Sequence, residues 1–218
     1  MKILVTGSTG LVGQGVLKAC QASAAVARLA VLVRKGGDAP AGVEEIVLAD
    51  FLQAAAVAPL LAGFDACFYC AGAPPVGTPE AEYRRVTVDA TLAVARAWGE
   101  ANPEGRFFYV SGAYADPDSR VMPLRIKGEA ERALSALAIT TVMLRPGGVR
   151  PVEGTGTRHG ALKPLYQLGG PLMKMAERLT PGMATSNEAI GRAMLALAVM
   201  PAPPSVVECD RINALAAE

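Results

Sequence analysis

The sequence predicts an α/β protein built on a doubly wound parallel sheet, with helices on both faces to give three layers. Short runs rich in β-branched and aromatic residues alternate with longer segments of helical periodicity, which is typical of βαβ units. Several of the short runs are almost continuously apolar, as expected for strands that helices cover on both faces. The first run leads directly into a glycine-rich turn and then a helical pattern, so the chain opens in the order strand, turn, helix.

Seven strands are predicted, each a short apolar run between helical or turn-forming segments. They cover residues 2–6, 28–34, 45–49, 65–70, 105–111, 139–145 and 205–209. The run 65–70 contains Cys67 and Cys70 at C-x-x-C spacing. A redox pair normally begins a helix and a zinc site needs a second ligand pair, so we interpret them as ordinary strand thiols on opposite faces.

Six helices are predicted between these strands, over residues 11–23, 52–62, 79–101, 122–137, 164–179 and 186–199. The segment 79–101 has the clearest helical period, which leaves its charged residues on a solvated face. Thr185 and Glu188 have the spacing of a capping box before the last helix.

We expect residues 1–218 to form a single domain, in which residues 146–204 contribute a small C-terminal substrate-binding region. The Gly- and Pro-rich stretch 146–164 is interpreted as a substrate loop or lid.

Composition excludes several classes of protein. The chain has 218 residues, of which 51% are hydrophobic and 19% charged, and its net charge of +1 includes no block of like charge. Proteins that bind nucleic acid, or that bind membranes through polybasic segments, carry clusters of positive charge. This chain has no such cluster in its sequence, so neither partner is expected. The longest charge-free stretches, residues 3–17 and 193–207, fall short of the roughly 20 apolar residues of a spanning helix. The first apolar run stops after Val5, too soon for a secretory signal, and a cytoplasmic location is predicted.

The glycine-rich turn predicts a phosphate-binding loop. Gly7, Gly10 and Gly13 stand where such a loop needs a tight turn, close backbone approach to a pyrophosphate, and close packing of helix on sheet. The following helix points its free N–H groups and positive dipole end at the phosphates. The residues predicted to contact the cofactor here are Gly7, Ser8, Thr9, Gly10, Leu11 and Val12. A merely tight turn is the alternative interpretation.

The end of the second predicted strand carries the group expected to read the adenosine ribose. An acidic residue there binds a 2′-hydroxyl, whereas a cation accommodates a 2′-phosphate. Arg34 and Lys35 stand at this place, and the nearest acid, Asp38, follows two glycines. The cofactor prediction is therefore NADP in preference to NAD, with two plain surface cations as the alternative.

From these motifs onward the sequence resembles the extended or atypical short-chain dehydrogenase/reductase family, which has the NAD(P)-binding Rossmann fold. Thr6–Gly13 is similar to its T-G-x-x-G-x-x-G opening, and the similarity covers nearly the whole chain. Residues 126–131 are most similar to the branch related to Tat-interacting protein. The resemblance implies further cofactor contacts at Asp50, Phe51, Ala71, Gly72, Ala73, Lys127, Pro146, Gly147, Gly148 and Val149.

The resemblance also implies a catalytic trio of Ser, Tyr and Lys, with Tyr and Lys four residues apart on one helix face. In that family the Lys lowers the pKa of the Tyr and holds the ribose, and the Ser orients the substrate carbonyl. Ser111 and Lys127 match their positions here. Pro123 occupies the Tyr position and has no proton to give, although the first turn of a helix accepts a proline.

The proton donor therefore remains open in the sequence. Tyr114 lies three residues after Ser111, where relatives carry a non-catalytic Tyr, and Tyr83 and Tyr166 are more remote. Tyr69 is assigned to a strand. Lys127 could also simply bind the ribose and leave proton transfer undone. His159, the single histidine, could act if its loop folds over the nicotinamide, and a solvated loop residue is the plainer interpretation.

Together these features favour an NADP(H)-binding oxidoreductase or epimerase-like enzyme that moves hydride to or from a carbonyl or hydroxyl carbon. The alternative is a catalytically silent NADPH-binding regulatory or scaffold protein, which Pro123 favours. No cluster of residues has metal-ligand spacing, so no metal is predicted. The expected partner is a small-molecule substrate, and the expected assembly is a monomer or homodimer.

Overall fold

The strands of the protein are short and regular. The computed structural model describes residues 1–155 and 182–217. In that part of the chain the strands are β1 (Lys2–Thr6), β2 (Arg28–Val33), β3 (Glu44–Val47), β4 (Ala66–Tyr69), β5 (Arg106–Val110), β6 (Thr140–Arg145), β7 (Gly148–Arg150), β8 (Ala184–Ser186) and β9 (Val206–Glu208). All seven predicted strands are present, and β7 and β8 are additional.

The helices alternate with these strands. They are α1 (Leu11–Ala22), a 3₁₀ helix (Phe51–Leu61), α2 (Glu80–Arg84), a π-helical turn (Arg85–Asp89), α3 (Ala90–Ala101), α4 (Met122–Ser135), α5 (Asn187–Val199) and α6 (Cys209–Ala217). The predicted helix over 164–179 lies outside the described residues.

Seven strands form one parallel sheet in the order β3-β2-β1-β4-β5-β6-β9. The chain winds outward from β1 to β3 and then returns to continue from β4 on the other side, which confirms the predicted doubly wound Rossmann fold. In such sheets the crevice at the carboxyl ends of the strands, where the winding reverses, is the usual place for a ligand. Here that crevice lies between the carboxyl ends of β1 and β4.

Two apolar layers cover the faces of the sheet. Trp98 of α3 and Ile126 of α4 belong to the cluster on one face, together with Leu4 of β1. Ile3 and Val5 belong to the cluster on the other face, which α1, α5 and α6 cover. Successive residues of β1 thus feed opposite cores, because side chains alternate along a strand. This two-sided burial explains why the strands read as continuous apolar runs.

Several elements differ from the sequence prediction. The segment predicted as an α-helix over 52–62 is a 3₁₀ helix with Pro59 inside it and non-helical backbone at Gln53. The helix predicted over 79–101 is divided by the π-helical turn Arg85–Asp89. The pair β7–β8 and the helix α6 were not predicted. Strands of three residues are too short to show a period, and the sequence analysis stopped at Cys209, where α6 begins.

Candidate cofactor and catalytic site

The turn between β1 and α1 is built around glycines that accept no side chain. Gly7 has φ +66°, and a Cβ there would lie 2.6 Å from the backbone nitrogen of Ala71. A Cβ on Gly13 would lie 2.0 Å from the carbonyl oxygen of Gly7, far inside van der Waals contact. The amide of Gly10 donates to that same oxygen at 2.9 Å. The turn therefore closes only with glycine at positions 7 and 13.

The first turn of α1 faces this site with its backbone donors. Gly10 is the N-cap residue and has no side chain to bond the N–H groups of the first helical turn. Such groups and the positive end of the helix dipole are suited to an anion. Ser8 is buried, while Thr9, Leu11 and Val12 are half-buried. The predicted phosphate-loop residues are thus brought together in one turn.

Thr6 ties the two central strands together where the winding reverses. Its buried hydroxyl oxygen accepts hydrogen bonds from the backbone amides of Cys70 at 3.2 Å and Ala71 at 3.3 Å. The sequence analysis did not single out Thr6 as a site residue, although it opens the matched glycine motif. Gly72 and Ala73 follow this anchor, and a Cβ on Gly72 would meet nothing within 4 Å. The backbone after β4 is therefore open toward the crevice.

The cationic pair at the end of β2 is exposed. Arg34 and Lys35 stand directly after the strand. The loop that follows is held by Glu45 of β3, whose carboxylate accepts hydrogen bonds from the amides of residues 37, 38 and 39 at 2.8, 3.2 and 2.8 Å. These bonds lower the pKa of Glu45. The sequence analysis missed this acid, and nothing in the local pattern marks it.

Asp50 stands at the start of the 3₁₀ helix. Its carboxylate accepts a hydrogen bond from the amide of Leu52 at 3.1 Å and pairs with Arg85 at 3.1 Å. Phe51 is buried in the core. Only the backbone of Phe51 is therefore available for a cofactor contact, whereas the Asp50 carboxylate is partly exposed.

Ser111 lies at the carboxyl end of β5, with its amide bonded to the carbonyl oxygen of Leu144 at 2.8 Å. The residue is 6% exposed, and its hydroxyl has no hydrogen-bond partner among the described residues. A buried hydroxyl in that condition is uncommon, because native structures bond nearly all such groups. The unpaired Ser111 hydroxyl therefore fits a site that completes its hydrogen bonds with a ligand.

Lys127 reaches the same strand end from α4. Its ammonium donates a hydrogen bond to the carbonyl oxygen of Val110 at 2.9 Å and lies 4.8 Å from the centre of the Tyr109 ring. Burial lowers the pKa of Lys127 to about 8, against the opposing influence of Glu131 and Cys70. Pro123 lies one turn earlier, in the first turn of α4. Proline is accepted there, because the first helical N–H groups have no partner within the helix.

An ion-pair cluster lies one turn beyond Lys127. Arg145 donates to both carboxylate oxygens of Glu131, at 3.0 and 2.6 Å, and also to Glu208 at 3.0 Å. These contacts raise the pKa of Arg145, and Glu131 is almost fully buried. The local sequence carries no signal for this cluster, because its three residues come from α4, β6 and β9.

The turn after β6 joins three parts of the site. The carbonyl oxygen of Pro146 accepts from the amide of Ala113, in the loop that follows Ser111, at 2.9 Å. A Cβ on Gly147 would lie 2.2 Å from the carbonyl oxygen of Met183. Gly148 and Val149 belong to β7 and pair with β8. The predicted nicotinamide turn is thus anchored on both sides.

The tyrosines divide into buried and exposed groups. Tyr69, Tyr83 and Tyr109 are at most 2% exposed, and burial is the main cause that raises the pKa of each. Tyr114 is 76% exposed and has φ +60°, a strained conformation for a bulky residue. Tyr166 and His159 lie outside the described residues.

The four cysteines are free thiols. Cys67 packs in the cluster on one face of the sheet and Cys70 against the cluster on the other, which agrees with the expected opposite orientation. Burial raises the pKa of both thiols. Over residues 1–155 and 182–217, no three acidic, Cys or His side chains are grouped to hold a metal ion. The helices of the same ranges include none long and apolar enough to cross a membrane.

Sequence comparison gives one family and a remote relative. The sequence model of the NAD dependent epimerase/dehydratase family matches residues 3–134, more than half of the chain. Protein fmp52, mitochondrial, of Emericella nidulans is 27% identical over 200 residues, which cover 88% of this chain and 84% of that protein.

Solved structures share the fold at low identity. MoeE5 in complex with UDP-glucuronic acid and NAD has a TM-score of 0.68 at 21% identity, over 100% of this chain and 81% of that one. UDP-glucuronic acid 4-epimerase from Bacillus cereus in complex with NAD has a TM-score of 0.67 at 17% identity, over 95% of this chain and 77% of that one. The likeness extends through the described parallel sheet.

Proposed function

Because the chain belongs to the NAD dependent epimerase/dehydratase family, we propose that it is an NADP(H)-dependent oxidoreductase or epimerase-like enzyme that acts on a carbonyl or hydroxyl carbon of a small molecule. The observation that carries the proposal is the turn at Gly7 and Gly13, where a Cβ on either residue would collide with backbone. This turn also precedes a helix N-terminus that no side chain caps, and it lies where the winding of the sheet reverses. A turn that served only to connect strand and helix would need neither feature.

The residues present fit a dinucleotide. The turn and the first N–H groups of α1 would hold the pyrophosphate, and the open backbone of residues 71–73 would lie along the cofactor. Asp50 would contact the adenine end, and the turn 146–149 would seat the nicotinamide, as the family resemblance implies. When bound, the nicotinamide supplies or accepts the hydride.

The preference for NADP rests on Arg34 and Lys35. Both are exposed directly after β2, where a 2′-phosphate would be read. The two similar structures are complexes with NAD, so the preference for NADP rests on this chain's own cations. Arg34→Ala should weaken NADPH binding by about tenfold or more and change NADH binding little, because only the former offers a dianion to the guanidinium. Equal losses for both cofactors would contradict the assignment.

The chain's own residues would orient the substrate at the end of β5. Ser111 has a buried hydroxyl that no group of the described residues bonds, and it would donate to a substrate oxygen. The Lys127 ammonium lies at the same strand end and donates one hydrogen bond to the carbonyl oxygen of Val110. An ammonium has three N–H donors, so two remain for a ligand. These groups would hold the ribose and the substrate next to each other.

A second candidate function is a catalytically silent NADPH-binding regulator or scaffold. Pro123 favours it, because the position that the family fills with a proton-carrying Tyr has no titratable group. Both candidates predict cofactor binding and only one predicts turnover.

The two candidates are separated by measuring NADPH binding and NADPH consumption on the same protein. Binding is followed by NADPH fluorescence and by thermal shift, and consumption at 340 nm with a panel of aldehydes, ketones and quinones. Binding with consumption supports the enzyme, and binding without consumption supports the regulator. Gly13→Ala is the negative control for binding, because its Cβ would collide with the carbonyl oxygen of Gly7 and keep the phosphate turn from forming.

Location and assembly are part of the proposal. We expect a cytoplasmic protein that is a monomer or homodimer and binds neither nucleic acid nor membrane. The relative fmp52 is a mitochondrial protein, so location is a point on which the two proteins could differ. Cell fractionation with a tagged chain tests the location, and light scattering after size-exclusion chromatography tests the assembly.

A further inference from the structure

We propose that Lys127 exchanges the proton with the substrate oxygen, in the role for which position 123 has no proton. The proposal rests on the proposed oxidoreductase function and assigns the one chemical role that the residues at the matched positions leave vacant. It makes Lys127 a catalytic residue, and not only a ribose ligand.

Geometry supports this assignment first. Lys127 bonds the carbonyl oxygen of Val110, and the next residue along the chain is Ser111. The ammonium and the unpaired Ser111 hydroxyl therefore both belong to the carboxyl end of β5. Pro123 lies one turn before Lys127 on α4, and its side chain has no proton to exchange. A substrate oxygen bonded to Ser111 would find Lys127 as the nearby donor from α4.

The tyrosines of the described residues are less suited to the role. Tyr69, Tyr83 and Tyr109 are buried among apolar side chains of one core cluster, and burial favours their neutral, proton-holding form. Tyr114 is 76% exposed, and among the described residues no cation contacts its phenol. Without a neighbouring cation a phenol is a poor proton donor or acceptor at neutral pH.

The surroundings of Lys127 tune it toward neutral pH. Burial lowers its pKa to about 8, and the charges that oppose this shift are Glu131 on α4 and Cys70 at the end of β4. The Tyr109 ring of β5 lies beside the ammonium, and Arg145 of β6 fixes the Glu131 carboxylate from the far side. A general acid works best when its pKa is near the working pH, so both protonation states of Lys127 are available.

In reduction, a hydride and a proton add to the substrate carbonyl. The substrate carbonyl carbon would gain a hydride, with its electron pair, from the reduced nicotinamide of NADPH, which is oxidised to NADP⁺, and the C=O π electrons would move to the oxygen. That oxygen takes a proton from the Lys127 ammonium, which becomes a neutral amine and is reprotonated from water. Oxidation runs in reverse, with the neutral amine taking the hydroxyl proton. Reduction therefore slows as the pH rises through about 8, and oxidation slows as it falls through about 8.

The key variant is Lys127→Arg. Arginine keeps the charge and the N–H donors but does not release its proton near neutral pH. With NADPH and 4-nitrobenzaldehyde or 9,10-phenanthrenequinone as probes, kcat should fall about 100-fold or more, within the usual range for general acid–base catalysis. The Kd for NADPH should change less than about threefold if the charge alone holds the ribose. Lys2→Arg, at the amino end of the central strand β1, is the matched control.

Rescue separates a catalytic role from a structural one. The double variant Pro123→Tyr with Lys127→Arg places a phenol four residues before a cation, and kcat should recover about tenfold or more over Lys127→Arg. In the protein without cofactor, ¹³C NMR of the lysine side chains should show the Lys127 ammonium titrating near pH 8. That signal should vanish in Lys127→Arg and persist in Lys2→Arg.

The outcomes distinguish the two proposals. If the wild type reduces the probes and Lys127→Arg does so equally well, the assignment of Lys127 is wrong while the proposed function stands. Loss of turnover in Tyr114→Phe with retention in Lys127→Arg would assign the proton to Tyr114. If the wild type binds NADPH and consumes none with the carbonyl panel, the proposed function fails and the role of Lys127 fails with it.

Discussion

The side-chain amide of Asn187 donates a hydrogen bond to the carbonyl oxygen of Leu11 across 2.8 Å, joining the first residue of α5 to the first residue of α1. The same amide group bonds Thr155 at 2.9 Å, and its oxygen accepts from the amide of Val152 at 3.1 Å. Asn187 is fully buried, and a Cβ on Gly15 would lie 2.4 Å from it. One amide thus holds the phosphate turn, the loop after β7 and the start of α5.

Asn187→Ala should therefore weaken both the fold and the cofactor site. Leaving buried partners unpaired costs about 1–3 kcal/mol for each group, so the free energy of unfolding should fall by at least about 2 kcal/mol. NADPH binding should weaken several-fold, because Leu11 lies in the phosphate turn. Urea unfolding and fluorescence titration measure the two effects. Arg192→Ala, at an exposed ion pair on the same helix, should change stability by less than about 0.5 kcal/mol.

Two glycines of the proposed cofactor site should respond differently to alanine. Gly13→Ala should destabilise the fold and abolish NADPH binding, because its Cβ would lie 2.0 Å from the carbonyl oxygen of Gly7. Gly72→Ala should leave the melting temperature within about 2 °C, since its Cβ meets nothing within 4 Å, and should weaken NADPH binding if the cofactor passes there. Thermal melts and fluorescence titrations test both. An unchanged affinity in Gly72→Ala would contradict the predicted contact.

Arg106 closes the far end of α5. One nitrogen of its guanidinium donates to the carbonyl oxygens of Leu197, Ala198 and Met200 at 3.0, 2.8 and 2.7 Å. Arg106→Met should lower the free energy of unfolding by about 1–3 kcal/mol, because these terminal carbonyls lose a charged donor. NADPH binding should stay unchanged, because Arg106 is at the amino end of β5 and the proposed site is at the carboxyl ends of the strands. A loss of affinity comparable with the loss of stability would refute that separation.

Lys127 should leave a mark on the pH dependence of stability. Its pKa falls from 10.5 to about 8 on folding, so the unfolded chain binds more protons between these values. Stability from this group therefore rises as the pH increases from about 8 to 10.5, and the cost of burying the ammonium is fully present below pH 8. Lys127→Met should be more stable than the wild type at pH 7, with the gap closing toward pH 10.5.

Urea unfolding of both proteins at several pH values measures that gap. The Cys and Tyr residues whose pKa burial raises are common to the two chains, so their titrations largely cancel in the difference. A gap that does not depend on pH would show that Lys127 is not desolvated in the folded chain.

The strands and the phosphate turn could be predicted because their causes are local. Alternation between apolar runs and helical periods follows from burial on both faces, and the glycines at positions 7 and 13 follow from steric limits within a few residues. The doubly wound parallel sheet followed from the alternation of strands and helices together with the family resemblance. These features need no knowledge of distant contacts.

The parts that escaped prediction depend on contacts far apart in sequence. Arg145 reaches Glu208 across 63 positions. Asn187 reaches Leu11 across 176 positions. In the sequence alone, a polar residue of this kind cannot be told from an ordinary surface residue, because its partners come close only in the folded chain. The lowered pKa of Lys127 is likewise a product of burial, which spacing alone does not reveal.

The short pairing of β7 with β8 has an evolutionary consequence. Gly148 pairs with Ala184 and Arg150 with Ser186, so the chain leaves the nicotinamide turn and comes back beside it in fixed register. Insertions, deletions or exchanges between these two strands can therefore accumulate while the seven-stranded sheet and the phosphate turn keep their sequence. We therefore expect the fold to accept a different segment grafted between Arg150 and Ala184, provided that it returns the chain to this register.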